Sequence, residues 1–160
     1  RPIKERGRES QPMDMTGEYR IPAPRQRVWE ALNDPEILKA SIPGCEELIR
    51  HSDTDLEAKV VLKIGPVKAR FSGKVTLDPR EAPARFSLKG EGNGGIAGFA
   101  KGGADVELIE DEGGTLLRYA AKADVGGKIA QLGNRLIQGT ARKLAAEFFA
   151  NFSEAVAPQS

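Results

Sequence analysis

The sequence predicts an α+β fold: a curved antiparallel sheet of about seven strands wrapped around one long C-terminal helix, with two short helices after the first strand. Three observations predict it. The proline-free stretch Gly126 to Ala157 places Ile129, Leu132, Leu136, Ile137, Leu144, Phe148, Phe149 and Phe152 mostly three, four or seven apart, the spacing that gathers side chains on one helical face. From Glu46 to Val125, apolar and polar residues alternate in short runs separated by proline, glycine or charged turns, the pattern of antiparallel strands with one buried face. No other segment is large enough to cover that face, so sheet and helix must bury each other.

Length and composition set the bounds. With 160 residues, 39% of them apolar, there is room for one domain and one substantial core. Residues 1–12, RPIKERGRESQP, are nearly devoid of apolar groups and read as a flexible tail; the domain is expected over 13–157, with 158–160 as its end. The charges nearly cancel, 24 Lys and Arg against 23 Asp and Glu, so no global field draws in nucleic acid. One cysteine and one histidine make neither an internal disulfide nor a tetrahedral metal site, and the single thiol fits the reducing cytosol. No apolar run approaches the ~20 residues that span a bilayer, which adds to the expectation of a cytoplasmic protein.

Taken in order, Met15, Gly17, Tyr19 and Ile21 alternate with Thr16, Glu18 and Arg20, the signature of a strand that Pro22 and Pro24 end. Val28, Trp29 and Leu32 give Arg25 to Asn33 a helical apolar side, and Asp34-Pro35 stops it. A second short helical turn spans Glu36 to Ala40 before Ile42-Pro43-Gly44. Leu56, Ala58, Val60, Leu62 and Ile64 form the inner face of a strand; after Gly65-Pro66, Val67, Ala69, Phe71, Gly73, Val75 and Leu77 form the next. Phe86 and Leu88 continue that face. A glycine-rich crossing leads to Ala104, Val106 and Leu108, and a turn at Asp111 to Gly114 leads to Leu117, Tyr119, Ala121, Ala123 and Val125. Sequential strands joined by hairpins pair, which predicts a meander apart from the first strand. The helix itself is expected to run from Gly126 to Ala157, about 45 Å.

The inner face carries many small residues: Gly17, Ala58, Ala69, Gly73, Ala104, Ala121 and Ala123 on the sheet, and Gly133, Thr140 and Ala141 on the helix. Interiors pack near crystal density, so facing small residues either draw the layers together or enclose space. The open reading gives a cavity lined by Leu62, Phe71, Phe86, Phe99, Tyr119, Leu132, Gly133, Leu136 and Thr140, with the Tyr119 phenol able to orient a carbonyl. Gly94, Gly95 and Gly98 would form a loop over its mouth; the alternative is a plain turn. Gly90 to Gly95 matches GxGxxG, but no helix opens after it, so nucleotide binding is not expected. His51 lies in the charged turn HSDTD with Asp53 and Asp55, and Cys45 reads as a small buried thiol; neither assembles a catalytic set, and no catalytic or metal residues are expected. Lys128, Arg135 and Arg142 lie seven apart and would form a basic stripe, either a solvated face or a contact for anionic lipid or an acidic partner.

Four segments carry a family resemblance: Ser41-Ile42-Pro43-Gly44-Cys45-Glu46, Lys63-Ile64-Gly65-Pro66-Val67, Gly95-Ile96-Ala97-Gly98-Phe99-Ala100, and Val125-Gly126-Gly127-Lys128-Ile129-Ala130-Gln131-Leu132-Gly133. With the element order, they make the chain similar to the carbon monoxide dehydrogenase G-subunit family of the START-like, helix-grip (SRPBCC) superfamily, over nearly everything from Met15 to Phe152. The resemblance implies a non-catalytic accessory protein for an aerobic molybdenum carbon monoxide dehydrogenase or a related hydroxylase. It implies a cavity for a quinone or other lipid-like molecule, no covalent cofactor, and help in placing the enzyme at the inner face of the cytoplasmic membrane. Two other readings stand beside it: an enzyme of the aromatase or cyclase kind, and a pure interaction module with a filled core.

Overall fold

The computed structural model describes residues 10–157. Its elements are β1 (Ser10–Ile21), α1 (Arg25–Leu32), α2 (Pro35–Ser41), β2 (Cys45–Arg50), β3 (Asp55–Ile64), β4 (Val67–Asp78), β5 (Arg85–Asn93), β6 (Phe99–Asp111), β7 (Gly114–Gly126) and α3 (Asn134–Val156). All strand pairs are antiparallel, in the order β1-β7-β6-β5-β4-β3-β2. The expected seven-stranded meander is therefore present, with β1 returning to pair with β7. α1 and α2 follow β1 as expected; Asp34 caps α2 by accepting from the Glu36 N–H at 2.9 Å, and Pro35 fills the position where a missing N–H costs nothing.

The convex face stays in water through charge alternation along the register. Asp124, Lys101, Glu91, Lys74 and Glu57 stand opposite one another in turn across five strands. In another row Arg118 binds Glu18 at 2.7 Å and Arg85 reaches Glu107 at 3.4 Å. Exposed pairs of this kind stabilise by only about 0–1 kcal/mol each, so they fix which face is out more than they hold the fold.

Stability comes from the concave face, where the core divides in two. At one end Ile21, Val28, Ala31, Phe86, Leu108, Leu117, Phe152 and Val156 are buried together. At the other Phe71, Ala97, Val125, Ile129, Ala130 and Ile137 are buried. Two hydrogen bonds tie α3 down outside these clusters: Gln138 Nε2 to the Asp14 carbonyl at 2.9 Å and Asn151 Nδ2 to the Ser41 carbonyl at 3.1 Å.

Three expectations are corrected. The closing helix begins at Asn134, not Gly126. Gly126 ends β7, Lys128–Leu132 is a separate 3₁₀ segment, and Gly127 and Gly133 have φ of 80° and 94°, outside any right-handed helix. The apolar spacing joined two segments because a 3₁₀ turn and an α-helix both return side chains to one face every three or four residues. At ~1.5 Å per residue the true helix is about 34 Å long. The first strand starts earlier than expected: Ser10, Gln11 and Pro12 pair with Gly126, Val125 and Asp124, so backbone pairing holds residues whose composition suggested a tail. Residues 1–9 and 158–160 lie outside the described residues. Finally, most of the glycine-rich crossing is strand, with Gly90 opposite Gly102 and Gly92 opposite Ala100; only 94–98 form a loop.

Phe152 is completely buried where α3 crosses the first cluster. Phe152→Ala should cost about 3–5 kcal/mol, read as a lower urea midpoint with an unchanged denaturant slope. A loss under about 1 kcal/mol would mean that this end of the helix is not a structural anchor.

Candidate functional site

Beside the first cluster the helix stands off the sheet. The inner line of α3 runs Ile137, Ala141, Ala145, Phe148, Phe152, Val156, bulky at both ends and small in the middle. Across from it, a Cβ built on Gly73 would meet only the neighbouring-strand carbonyls of Glu91 and Ala58, at 3.6 and 4.0 Å, and one on Gly92 only the Ser72 carbonyl at 3.9 Å. No atom of the helix comes within that range. Small residues thus keep the layers apart here, next to a hollow that these two glycines do not themselves line.

The hollow is a cavity of about 350 Å³. Ala145, Phe148 and Phe149 of α3 roof it, Trp29, Leu32, Leu38 and Ile42 from the α1–α2 region close one side, and its floor comes from β2 to β7, including Leu48, Leu56, Ala58, Val75, Phe86, Leu88, Ala104, Val106 and Tyr119. Aromatic packing shapes the walls. Trp29 meets Phe86 at 4.9 Å between ring centroids, and Tyr19 stacks on Phe149 at 4.3 Å. Gly17 is small because the Tyr119 ring lies over it, where a Cβ would come within 2.7 Å of the hydroxyl. Burial pushes the Tyr119 phenol above its ordinary value, with neighbouring Tyr19 adding to the rise and Arg142 opposing it, so the hydroxyl keeps its proton at neutral pH.

Apart from that phenol, the polar residues lining the cavity are gathered at one end: Asn33, Arg50, Asp53 and Thr54. Here the cavity meets a surface groove with which it shares Trp29, Asn33, Arg50, Asp53 and Leu77, and this is its mouth. Arg50 bridges the two lips. Its guanidinium donates to the Asn33 carbonyl at 2.9 Å and the Ser52 carbonyl at 3.0 Å. The β2–β3 turn is held from behind by Asp55, which accepts from Ser52 Oγ at 3.0 Å and Thr76 Oγ1 at 3.1 Å; hydrogen bonds from Ser52 and Thr76 keep its carboxyl below the usual range.

Of the nine residues expected to line a cavity, Phe86 and Tyr119 do so. Leu62, Phe71 and Leu132 pack in the second cluster. Phe99 is exposed, its ring over Gly126; Leu136 lies against Gly65 on the β3–β4 hairpin, Gly133 is the residue before α3, and Thr140 borders a shallow polar groove with Lys143 and Glu147. The helix is turned so that Leu136 and Thr140 face the hairpin and Ala145 faces the hollow. Gly94, Gly95 and Gly98 form a closed loop, with the Gly94 N–H donating to the Gly98 carbonyl at 2.8 Å, but Phe71 packs against it in the second cluster, away from the mouth. Sequence reasoning missed the α1–α2 wall and Ala145. Ala145 follows Ala141 by one helical turn, a spacing that could have found it. The mouth residues carry no sequence signal of their own.

Lys128, Arg135 and Arg142 are all exposed, but Lys128 stands in the 3₁₀ segment, so only Arg135 and Arg142 share a helical side. The end of the molecule near Lys128 is unusual in another way. Stretches 61–77, 93–104 and 125–146 contain no Asp or Glu, while Lys63 and Lys68 face each other across the β3–β4 register. Ile96, at the tip of the 94–98 loop, is 92% exposed. A larger groove of about 660 Å³ on the convex face is open and lined by charged pairs, including Arg85 and Glu107. His51 binds Glu57 on the surface at 2.7 Å, and among the described residues no group of His, Cys, Asp and Glu could hold a metal ion. Among the described residues, no helix is long and apolar enough to cross a membrane.

The family model of the carbon monoxide dehydrogenase G-subunit (CoxG) matches residues 17–157. The chain belongs to that family. No curated protein matches the chain at significance. Among solved structures, this CoxG family member is similar to a conserved protein from Geobacillus kaustophilus, with a TM-score of 0.84 and 28% identity over 90% of this chain and 95% of that one. The Zhui aromatase/cyclase from Streptomyces sp. R1128 aligns with a TM-score of 0.64 and 10% identity over 91% and 94% of the two chains. Norcoclaurine synthase from Thalictrum flavum gives 0.61 and 14% over 95% and 98%. The last two likenesses establish the helix-grip, START-like fold and nothing about activity.

Burial pushes the Cys45 thiol above its ordinary value, outweighing its hydrogen bond to the Glu47 carbonyl and the pull of Lys39. Because the thiolate is the nucleophile, a raised value means less of it near pH 8. Iodoacetamide should therefore alkylate Cys45 several-fold more slowly in the folded protein than in the urea-unfolded chain. Equal rates would contradict the burial.

Proposed function

We propose that this chain is a non-catalytic accessory subunit of an aerobic molybdenum carbon monoxide dehydrogenase or a related hydroxylase, carrying an apolar, quinone- or lipid-like molecule in the cavity under α3. One observation carries the reading: a hollow of about 350 Å³ whose wall is apolar except for Tyr119 and a polar mouth. An enzyme needs polar groups that converge on a reacting atom, whereas a carrier needs shape, dryness and one or two orienting contacts. Tyr119, its proton retained, can donate to a carbonyl oxygen of the guest. Membership of the CoxG family supports the association with the dehydrogenase.

The reading includes help in placing the enzyme at the inner face of the cytoplasmic membrane. The stretches without Asp or Glu support this, because they combine an exposed apolar tip, Ile96, with Lys63, Lys68, Lys128 and Arg135, the pairing that holds a protein to an anionic leaflet.

Native mass spectrometry of the gently purified protein should show an adduct that solvent extraction removes, and the extracted protein should take up the uncharged dye Nile red. Filling the hollow with Ala104→Phe and Ala145→Phe together should weaken dye binding by about tenfold or more while the folded circular dichroism spectrum persists. A protein that carries no adduct and takes up no dye would overturn the carrier reading. For the membrane part, co-sedimentation with phosphatidylglycerol vesicles should exceed that with phosphatidylcholine and fall with Ile96→Asp plus Lys63→Glu and Lys68→Glu; equal sedimentation would remove it.

A further inference from the structure

The mouth of the cavity is charged, and its charge has a sign. The groove outside it is lined by Glu30, Asp34 and Asp53 against one cation, Arg50. Arg50 is already occupied: Nε donates to the Ser52 carbonyl at 3.0 Å, Nη1 to the Asn33 carbonyl at 2.9 Å, and Nη2 to the Asp53 carbonyl at 3.4 Å while lying 3.5 Å from the Asp53 carboxylate. Each of its three nitrogens thus has an acceptor before any guest arrives. Of the carboxylates, Asp34 already caps α2 by accepting from the Glu36 N–H, and the other two are less engaged. Asp53 has a fully exposed side chain, at 103%, and Glu30 is an exposed residue whose carboxylate accepts only from Gln26, at 3.2 Å. Arg50 is also the one cationic side chain among the residues that line the cavity.

We infer that the cavity sorts guests by head-group charge: it takes apolar molecules with an uncharged or cationic head and turns away those ending in a carboxylate. The inference rests on the carrier reading and adds the chemical class of the guest. An apolar body fills the hollow and leaves its head at the mouth, because that is where polar partners are found. A carboxylate there would face Glu30, Asp34 and Asp53 at the solvent-exposed mouth, with the one nearby guanidinium already hydrogen-bonded to three backbone carbonyls. An amine would be attracted by the same three groups. An alcohol or a ring carbonyl would meet no repulsion and could use Asn33, Thr54 or Tyr119.

Trp29, the sole tryptophan, lies on the cavity wall and reports binding by its own fluorescence. Three probes share one chain and differ in the head: dodecanol, dodecylamine and dodecanoate. At neutral pH and low salt the alcohol and the amine should bind about tenfold more tightly than the carboxylate. In the Glu30→Gln, Asp53→Asn double variant that gap should shrink by about threefold or more, and added salt should shrink it in the wild type. Dodecanoate binding as tightly as dodecanol, or a gap unchanged in the double variant, would overturn the inference. Nile red uptake with none of the three probes bound would overturn it while sparing the carrier reading; no binding of dye or probes would defeat both.

Discussion

A straight helix laid across a twisted sheet touches it well only over part of its length, and the sequence decides where. Here contact is concentrated at the two ends. Phe148, Phe149 and Phe152 pack with Tyr19, Tyr119 and the α1 region at one end, and Ile137, with the 3₁₀ residues Ile129 and Ala130, closes the other. Next to the first cluster, Ala145 on the helix and Ala58 and Ala104 on the sheet line the cavity with small side chains. If leucines stood at those alanines, the same fold would have a solid core. The cavity is thus a property of a few side-chain volumes, while the sheet order and the helix direction are fixed by the many larger residues around it.

Charge is distributed with the same economy. On the convex face opposite signs alternate strand by strand, which keeps that surface solvated and offers no net field. The two ends of the molecule break the alternation in opposite senses. The stretches 61–77, 93–104 and 125–146 carry cations and no acids, although Glu57, Glu91 and Glu147 border them in space; around the mouth, acids outnumber the single arginine. A nearly neutral total therefore conceals an uneven distribution of charge, and net charge alone could not have revealed it.

Much of the fold was legible because alternation and turn residues report directly on strands. Val67 to Leu77 is an uninterrupted period-two run, and it is β4. The start of α3 was not legible, since Ile129 and Leu132 keep a helical spacing while belonging to a 3₁₀ turn between Gly127 and Gly133. The existence of a hollow could be argued from small residues, but its position could not. That depends on the rotation of α3 about its axis, which packing of Leu136 against Gly65 and of Phe152 into the first cluster sets together. An error in that rotation puts Leu136 and Thr140 into the expected lining in place of Ala145. The mouth is harder still: Asn33 and Arg50 are 17 residues apart and meet only because the α1–α2 corner folds over the β2–β3 turn.

The two side-chain ties on α3, Gln138 to the backbone of β1 and Asn151 to the backbone of α2, sit on either side of Ala145. Mechanically the helix is a beam resting on two piers. Ala104 and Ala145, which line the chamber and belong to neither buried cluster, can be exchanged without removing either support, so at these two positions the size of the chamber is set apart from the stability of the building.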